Sequence, residues 1–254
     1  MAKVKVTAVS YLNTLPFLYG LRRSGVADAI DLSIATPAAC AQQLETGQTD
    51  LSLIPVAAIP GHPHYQIIGD YCIGAAGKVR SVALFSNCTL PGLKTVYLDA
   101  ESRTSILLAR ILARDCWKIT PTFKPLTAEP LKAGEGCVLI GDKALLHESR
   151  FTCRYDLAET WVNHTGSPFV FATWTANKSL PASFIEQFNR ALDYGIQHIP
   201  QSLAEPPQHG DARALPCPHD TALEYLTKNI SYPFDAEKKN GLTKFWNLIN
   251  DFPL

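Results

Sequence analysis

The segment Leu98-Asp99-Ala100-Glu101-Ser102-Arg103-Thr104-Ser105 gathers three hydroxyls, two carboxylates and a guanidinium just ahead of the apolar run 106–112. With Ser102 as the N-cap of a helix, the amides of Arg103, Thr104 and Ser105 stay free at the positive end of the dipole. Such a terminus takes a carboxylate or a phosphate. The same residues also make an ordinary capped helix start. Arg103 shares a helical face with Arg110 and Arg114. That face reads as solvated, so amides and hydroxyls are the better ligand groups, with Arg103 kept as a binding candidate.

Ser10-Tyr11-Leu12-Asn13-Thr14 occupies the equivalent place after the opening strand, where the Asn13 carboxamide can both donate and accept a hydrogen bond. Helix capping by Asn13 is the competing reading. Ile140-Gly141-Asp142-Lys143-Ala144 offers the Gly141 amide, with Asp142 expected to cap the helix beyond. Ser81 and Ser86 stand at two ends of an apolar run without the Gly-x-Ser-x-Gly elbow of a serine hydrolase. His147 and His164 are candidate acids or bases, although a single histidine is more often a bystander. His62-Pro63-His64 lacks the further ligands a zinc site needs, so no metal is expected. Neither Gly-x-Gly-x-x-Gly nor a P-loop occurs.

These motifs need elements to hold them. Val4, Val6 and Ala8 alternate with polar residues and predict a strand. A helix over 15–21, a strand over 30–35, a helix opening at Thr36-Pro37 and a strand over 50–55 follow. Strands alternating with helices predict parallel pairing in a doubly wound sheet. Further strands are expected over 65–75 and 80–85. The pattern restarts with a strand over 95–98, a helix over 102–117, and strands over 121–124 and 137–140. A polar helix over 155–165 and an apolar strand over 168–174 come next. Helices over 181–199, 219–229 and 235–249 close the chain, with a proline-rich loop over 206–218. Two α/β lobes with a ligand cleft between them account for this order: residues 1–86 plus 168–254 form lobe 1, and residues 87–167 form an inserted lobe 2. Chain crossings then lie near 86 and 168.

The 254 residues carry 23 Lys plus Arg and 23 Asp plus Glu, so the formal net charge is zero. No whole-molecule field draws in nucleic acid or an anionic membrane, and an anionic ligand must be held locally. The 46% hydrophobic residues suit a well-filled core. Seven cysteines without a Cys-x-x-Cys pair, mostly in apolar runs, read as reduced core thiols. The N-terminus enters strand pattern directly, without an export signal, and no apolar run approaches the ~20 residues of a membrane helix, so a cytoplasmic protein is expected.

The ordered motifs Ser-Tyr-Leu-Asn-Thr-Leu-Pro (10–16), Arg-Ser-Val-Ala-Leu-Phe-Ser (80–86), Leu-Asp-x-x-Ser-Arg-Thr-Ser (98–105) and Ile-Gly-Asp-Lys-Ala (140–144) resemble the chorismate dehydratase family. So does Asp-Leu-Ala-Glu-Thr-Trp with Thr-Gly-Ser-Pro-Phe-Val-Phe-Ala-x-Trp (156–174). The likeness continues through Tyr225, Asn229-Ile230-Ser231-Tyr232 and Gly241-Leu242. It implies a two-lobed, periplasmic-binding-protein-like (type II) α/β fold. The implied activity is a hydro-lyase that converts chorismate to 3-[(1-carboxyvinyl)oxy]benzoate in the futalosine route to menaquinone. It also implies a small-molecule substrate and neither metal nor cofactor.

That reaction needs orientation, charge stabilisation and one proton acceptor. The motifs offer Asn13 as the catalytic candidate, orienting a substrate whose own enolpyruvyl carboxylate takes the proton. Ser10, Tyr11, Ser81, Ser86, Ser102, Arg103, Thr104, Ser105, Gly141 and Asp142 are the substrate-binding candidates. Two alternatives share the fold: a solute-binding protein for a small acid, and the 1,4-dihydroxy-6-naphthoate synthase of the same route.

Overall fold

A computed structural model describes residues 3–205 and 215–252. Its strands are β1 (Val4–Val9), β2 (Ile30–Ala35), β3 (Leu51–Pro55), β4 (Gln66–Ala75), β5 (Val82–Ser86), β6 (Thr95–Leu98), β7 (Thr122–Pro125), β8 (Glu135–Ile140), β9 (Cys153–Asp156), β10 (Phe169–Ala176) and β11 (Ser231–Pro233). Its α-helices are α1 (Leu15–Arg23), α2 (Pro37–Glu45), α3 (Arg103–Leu112), α4 (Gly141–His147), α5 (Leu157–Thr165), α6 (Ala182–Gln197), α7 (Ile199–Ala204), α8 (His219–Glu224) and α9 (Ala236–Ile249). The expected proline-rich loop over 206–218 falls largely outside the described residues.

Six strands form one sheet in the order β11-β4-β10-β3-β1-β2, and five form another in the order β7-β6-β8-β5-β9. Both are mixed rather than wholly parallel as the alternation predicts. β1 runs parallel to β2 and β3, and β6 runs parallel to β7 and β8. However, β10 is antiparallel to β3 and β4, and β5 is antiparallel to β8 and β9. The reason is the two passages of the chain between lobes: β5 enters the five-stranded sheet between β8 and β9, and β10 re-enters the six-stranded sheet between β4 and β3, each against the direction of its neighbours.

The first crossing also differs from expectation. β5 belongs to the five-stranded sheet, so the chain leaves the first lobe over 76–81, ahead of residue 86. Arg80 adopts a left-handed φ of 68° there. Asp156 holds it, accepting the amides of Val79 at 3.2 Å and Arg80 at 2.6 Å. The same carboxylate caps α5 through the amides of Ala158 and Glu159, both 3.1 Å away. One buried side chain therefore ties the outgoing passage to the start of the return. It also moves the start of the helix expected over 155–165 to Leu157, since residues 153–156 pair with β5.

Helix α1 lies against α6 at backbone contact. A Cβ on Gly20 would sit 1.9 Å from the Ala191 carbonyl oxygen, and one on Gly195 would sit 1.8 Å from that of Pro16. Only glycine permits that approach. Beneath β10 the rings of Phe17, Trp174, Phe188 and Tyr232 interlock at 5.0–5.9 Å. Aromatic burial of this size dominates core energetics and gives the first lobe a stiff floor. The cysteines are all free, with Cys40, Cys72 and Cys137 buried and the other four partly exposed, so fewer lie in the core than expected. Among the described residues no helix is long and apolar enough to cross a membrane.

Candidate functional site

The ends of β1, β3 and β8, the turn before α3 and the middle of β10 converge on a cavity between the two sheets. Tyr11, Asn13, Ser81, Ser102, Thr104, Ser105 and Gly141 line it, as the sequence reading expects, on apolar walls that include Leu53, Ile73 and Phe171.

Asn13 sits in the 3-10 turn Leu12–Thr14, which follows the opening strand, and is 8% exposed. Its side chain does not cap α1. Its Oδ1 instead accepts from the Thr14 hydroxyl at 3.2 Å, and its backbone carbonyl accepts from the Tyr232 hydroxyl at 3.1 Å. The preceding amide, Leu12 N–H, donates to Asp142 Oδ1 at 2.9 Å. The turn is thus fixed from three sides, and the carboxamide keeps N–H capacity for a ligand.

Opposite it stands the start of α3. Ser102 is the N-cap, but its hydroxyl makes no capping bond, so it is available to the cavity rather than spent on the helix. The first amides of α3 have no intrahelical acceptor. Ser105 is buried beside them at 3% exposure. The Thr104 hydroxyl is already engaged, accepting from the Ala57 amide at 3.2 Å and donating to the Phe171 carbonyl at 3.3 Å. Both partners belong to the first lobe, so Thr104 is a bridge between lobes.

Tyr11 forms another bridge. Its hydroxyl donates to Glu101 Oε2 at 3.1 Å, and burial followed by that carboxylate pushes its pKa up, so it stays protonated. Lys143 neutralises the acidic side of this bridge, lying 2.9 Å from Asp99 and 3.1 Å from Glu101. The Tyr11 ring packs on Gly141, whose φ is 54°, and a Cβ there would meet the ring at 2.6–2.8 Å.

Four expected residues do not join the cavity wall. Ser10 lies just outside it, and its amide donates to the Ala35 carbonyl. Ser86 turns its hydroxyl to the Cys88 backbone at the far end of β5. Arg103 is exposed, pointing off the first turn of α3. Asp142 does not cap α4: Ile140 is the N-cap, and the carboxylate reaches across the cleft to Leu12. Burial pushes the Asp142 carboxyl up to about 6. His147 and His164 do not line the cavity either. Glu101 was legible as part of its motif but not as a cavity residue. Tyr225 and Tyr232 gave no local signal, since their partners lie more than a hundred residues away.

A family model described as menaquinone biosynthesis matches residues 4–251, nearly the whole chain. The chain belongs to that menaquinone-biosynthesis family. A relative within reach by sequence is the chorismate dehydratase of Thermus thermophilus, 28% identical over 92% of this chain and 91% of its own length. Among solved structures, protein AF1704 from Archaeoglobus fulgidus aligns with a TM-score of 0.73 at 15% identity, covering 98% of this chain and 97% of that one. The alkanesulfonate-binding protein SsuA from Xanthomonas axonopodis pv. citri aligns at 0.67 and 12% identity, over 99% and 93%. The Candida albicans CA3427 gene product, described as having the generic periplasmic binding protein structural fold, aligns at 0.62 and 12%, over 98% and 95%. These likenesses establish the two-lobed periplasmic-binding-protein-like fold of this menaquinone-biosynthesis family member.

Proposed function

We propose that this protein dehydrates chorismate to 3-[(1-carboxyvinyl)oxy]benzoate in the futalosine route to menaquinone. The observation that carries the reading is the cavity's two facing donor sets: the pinned Asn13 carboxamide with Ser81 on one side, and the Ser102, Ser105 and amide groups of the α3 start on the other. A substrate with two carboxylates meets one set with each. The family and the Thermus thermophilus relative point to the same chemistry.

The α3 start holds one carboxylate by helix-terminal amides, and Asn13 holds the enolpyruvyl carboxylate. Conjugation to the ring carboxylate acidifies the proton on carbon 3. The enolpyruvyl carboxylate takes that proton, and the C–H electron pair moves into the ring. The carbon–oxygen bond at carbon 4 breaks, and the departing hydroxide leaves as water on receiving a proton. Aromatisation drives the step, so the protein's share is orientation and charge stabilisation.

The test is a difference spectrum of chorismate with and without the protein. Loss of the cyclohexadiene absorbance with formation of the aromatic ether is the expected result. Saturable binding with an unchanged spectrum would make the protein a binder of small acids. Turnover of the cyclic futalosine derivative instead of chorismate would make it a dihydroxynaphthoate synthase.

A further inference from the structure

Behind the cavity wall lies a group that does not itself face the ligand space. Tyr225, in the π-helical turn Tyr225–Asn229 that follows α8, is 1% exposed, and its hydroxyl donates to Ser81 Oγ at 2.7 Å. Ser81 and Asn13 line the cavity and Tyr225 does not.

Donor and acceptor valences then fix the directions around Ser81. The Tyr225 proton is committed to Ser81, so the serine oxygen is an acceptor there and its own proton must point elsewhere. Ser81 is buried at 1% exposure, and its open side is the cavity. A serine hydroxyl otherwise rotates between donating and accepting, and an accepting orientation presents a lone pair to an anion.

We infer that Tyr225 is a positioning residue: by donating to Ser81 it turns that hydroxyl into a donor aimed at the anionic substrate. This rests on the proposed dehydration for its substrate, but the hydrogen-bond directions are properties of the protein alone.

Tyr225→Phe keeps the buried ring and removes only the hydroxyl. Turnover efficiency with chorismate is expected to fall about tenfold, the effect of one misdirected hydrogen bond to a charged group. The circular dichroism spectrum is expected to stay that of the wild type. A double-mutant cycle separates positioning from structure. Ser81→Ala with Tyr225→Phe is expected to lose about tenfold rather than the roughly hundredfold product of independent losses. Losses that multiply, or a folded Tyr225→Phe protein with wild-type efficiency, would overturn the inference.

A crystal structure of Tyr225→Phe gives a readout free of any substrate. The Ser81 hydroxyl is expected to change rotamer, and an unchanged rotamer overturns the inference whatever the protein does with chorismate. If the wild type leaves chorismate intact while the rotamer moves, the functional reading fails and the positioning role stands. Should Tyr225→Phe fail to fold, 3,5-difluorotyrosine at position 225 retains shape and hydroxyl and donates more strongly. Binding of 3-[(1-carboxyvinyl)oxy]benzoate by calorimetry is then expected to tighten about twofold, and unchanged binding counts against the inference.

Discussion

The carboxylate of Asp142, on the five-stranded side of the cleft, accepts the Leu12 amide proton from the six-stranded side at 2.9 Å, one residue before Asn13. The same hydrogen bond therefore joins the lobes and holds the Asn13 turn. Thr104 and Tyr11 make parallel links, so three hydrogen-bonding side chains bridge the cleft around the cavity.

Burial places the Asp142 carboxyl at about 6 against an ordinary 3.8. The folded protein thus holds this proton more tightly than the unfolded chain, and the stabilisation is complete below about pH 4 and lost as pH rises through about 6. Asp142→Asn keeps an oxygen for Leu12 and never ionises. Its melting temperature is expected to exceed that of the wild type at pH 7.5 and to converge with it near pH 4, as read by calorimetry across that range. Parallel curves would mean that Asp142 titrates normally.

Gly141→Ala drives a methyl into the Tyr11 ring and forces alanine to a φ of 54°, which alone costs about 1–2 kcal/mol. Relief comes by moving the lobes apart. A lower melting temperature and a raised KM for chorismate are expected together, and a variant with normal KM would show that the ring contact does not govern closure.

Thr104→Val preserves shape but leaves the buried Ala57 amide without its acceptor, at about 1–3 kcal/mol. The lobes should separate more readily. Small-angle scattering with and without the aromatic product is expected to show a larger radius of gyration for the product-free variant than for the product-free wild type, with weaker product binding. Identical profiles and affinity would remove Thr104 as a bridge.

Asn13→Ala is expected to lose turnover by about 10²-fold or more, in the range seen when a charge-stabilising donor is removed. His147→Gln and His164→Gln, which stand off the cavity wall, are expected to stay within about twofold of the wild type, where loss of a true general base costs about 10²–10⁴. Steady-state assays on folded variants decide it. A histidine variant without turnover beside an active Asn13→Ala would place the base in the protein.

By itself the sequence determined most of the local structure, because strand alternation, the Thr36-Pro37 helix start and the hydroxyl-rich entry to α3 are encoded within a few residues of where they act. It also brought Asn13 and the α3 start forward as separate ligand-binding candidates, and the fold sets them on one cavity. Short-range signals could not say what the side chains do once the lobes meet. Ser102, Asp142 and Asn13 all read as helix caps, and none makes a side-chain capping bond, because the folded cleft brings each within reach of a long-range partner or the ligand space. The direction of β10, the early crossing at 76–81 and the pairing of Tyr225 with Ser81 likewise depend on segments far apart in the chain. Only the closed tertiary structure brings those groups within hydrogen-bonding distance, and a buried polar group then takes whichever partner the packing supplies.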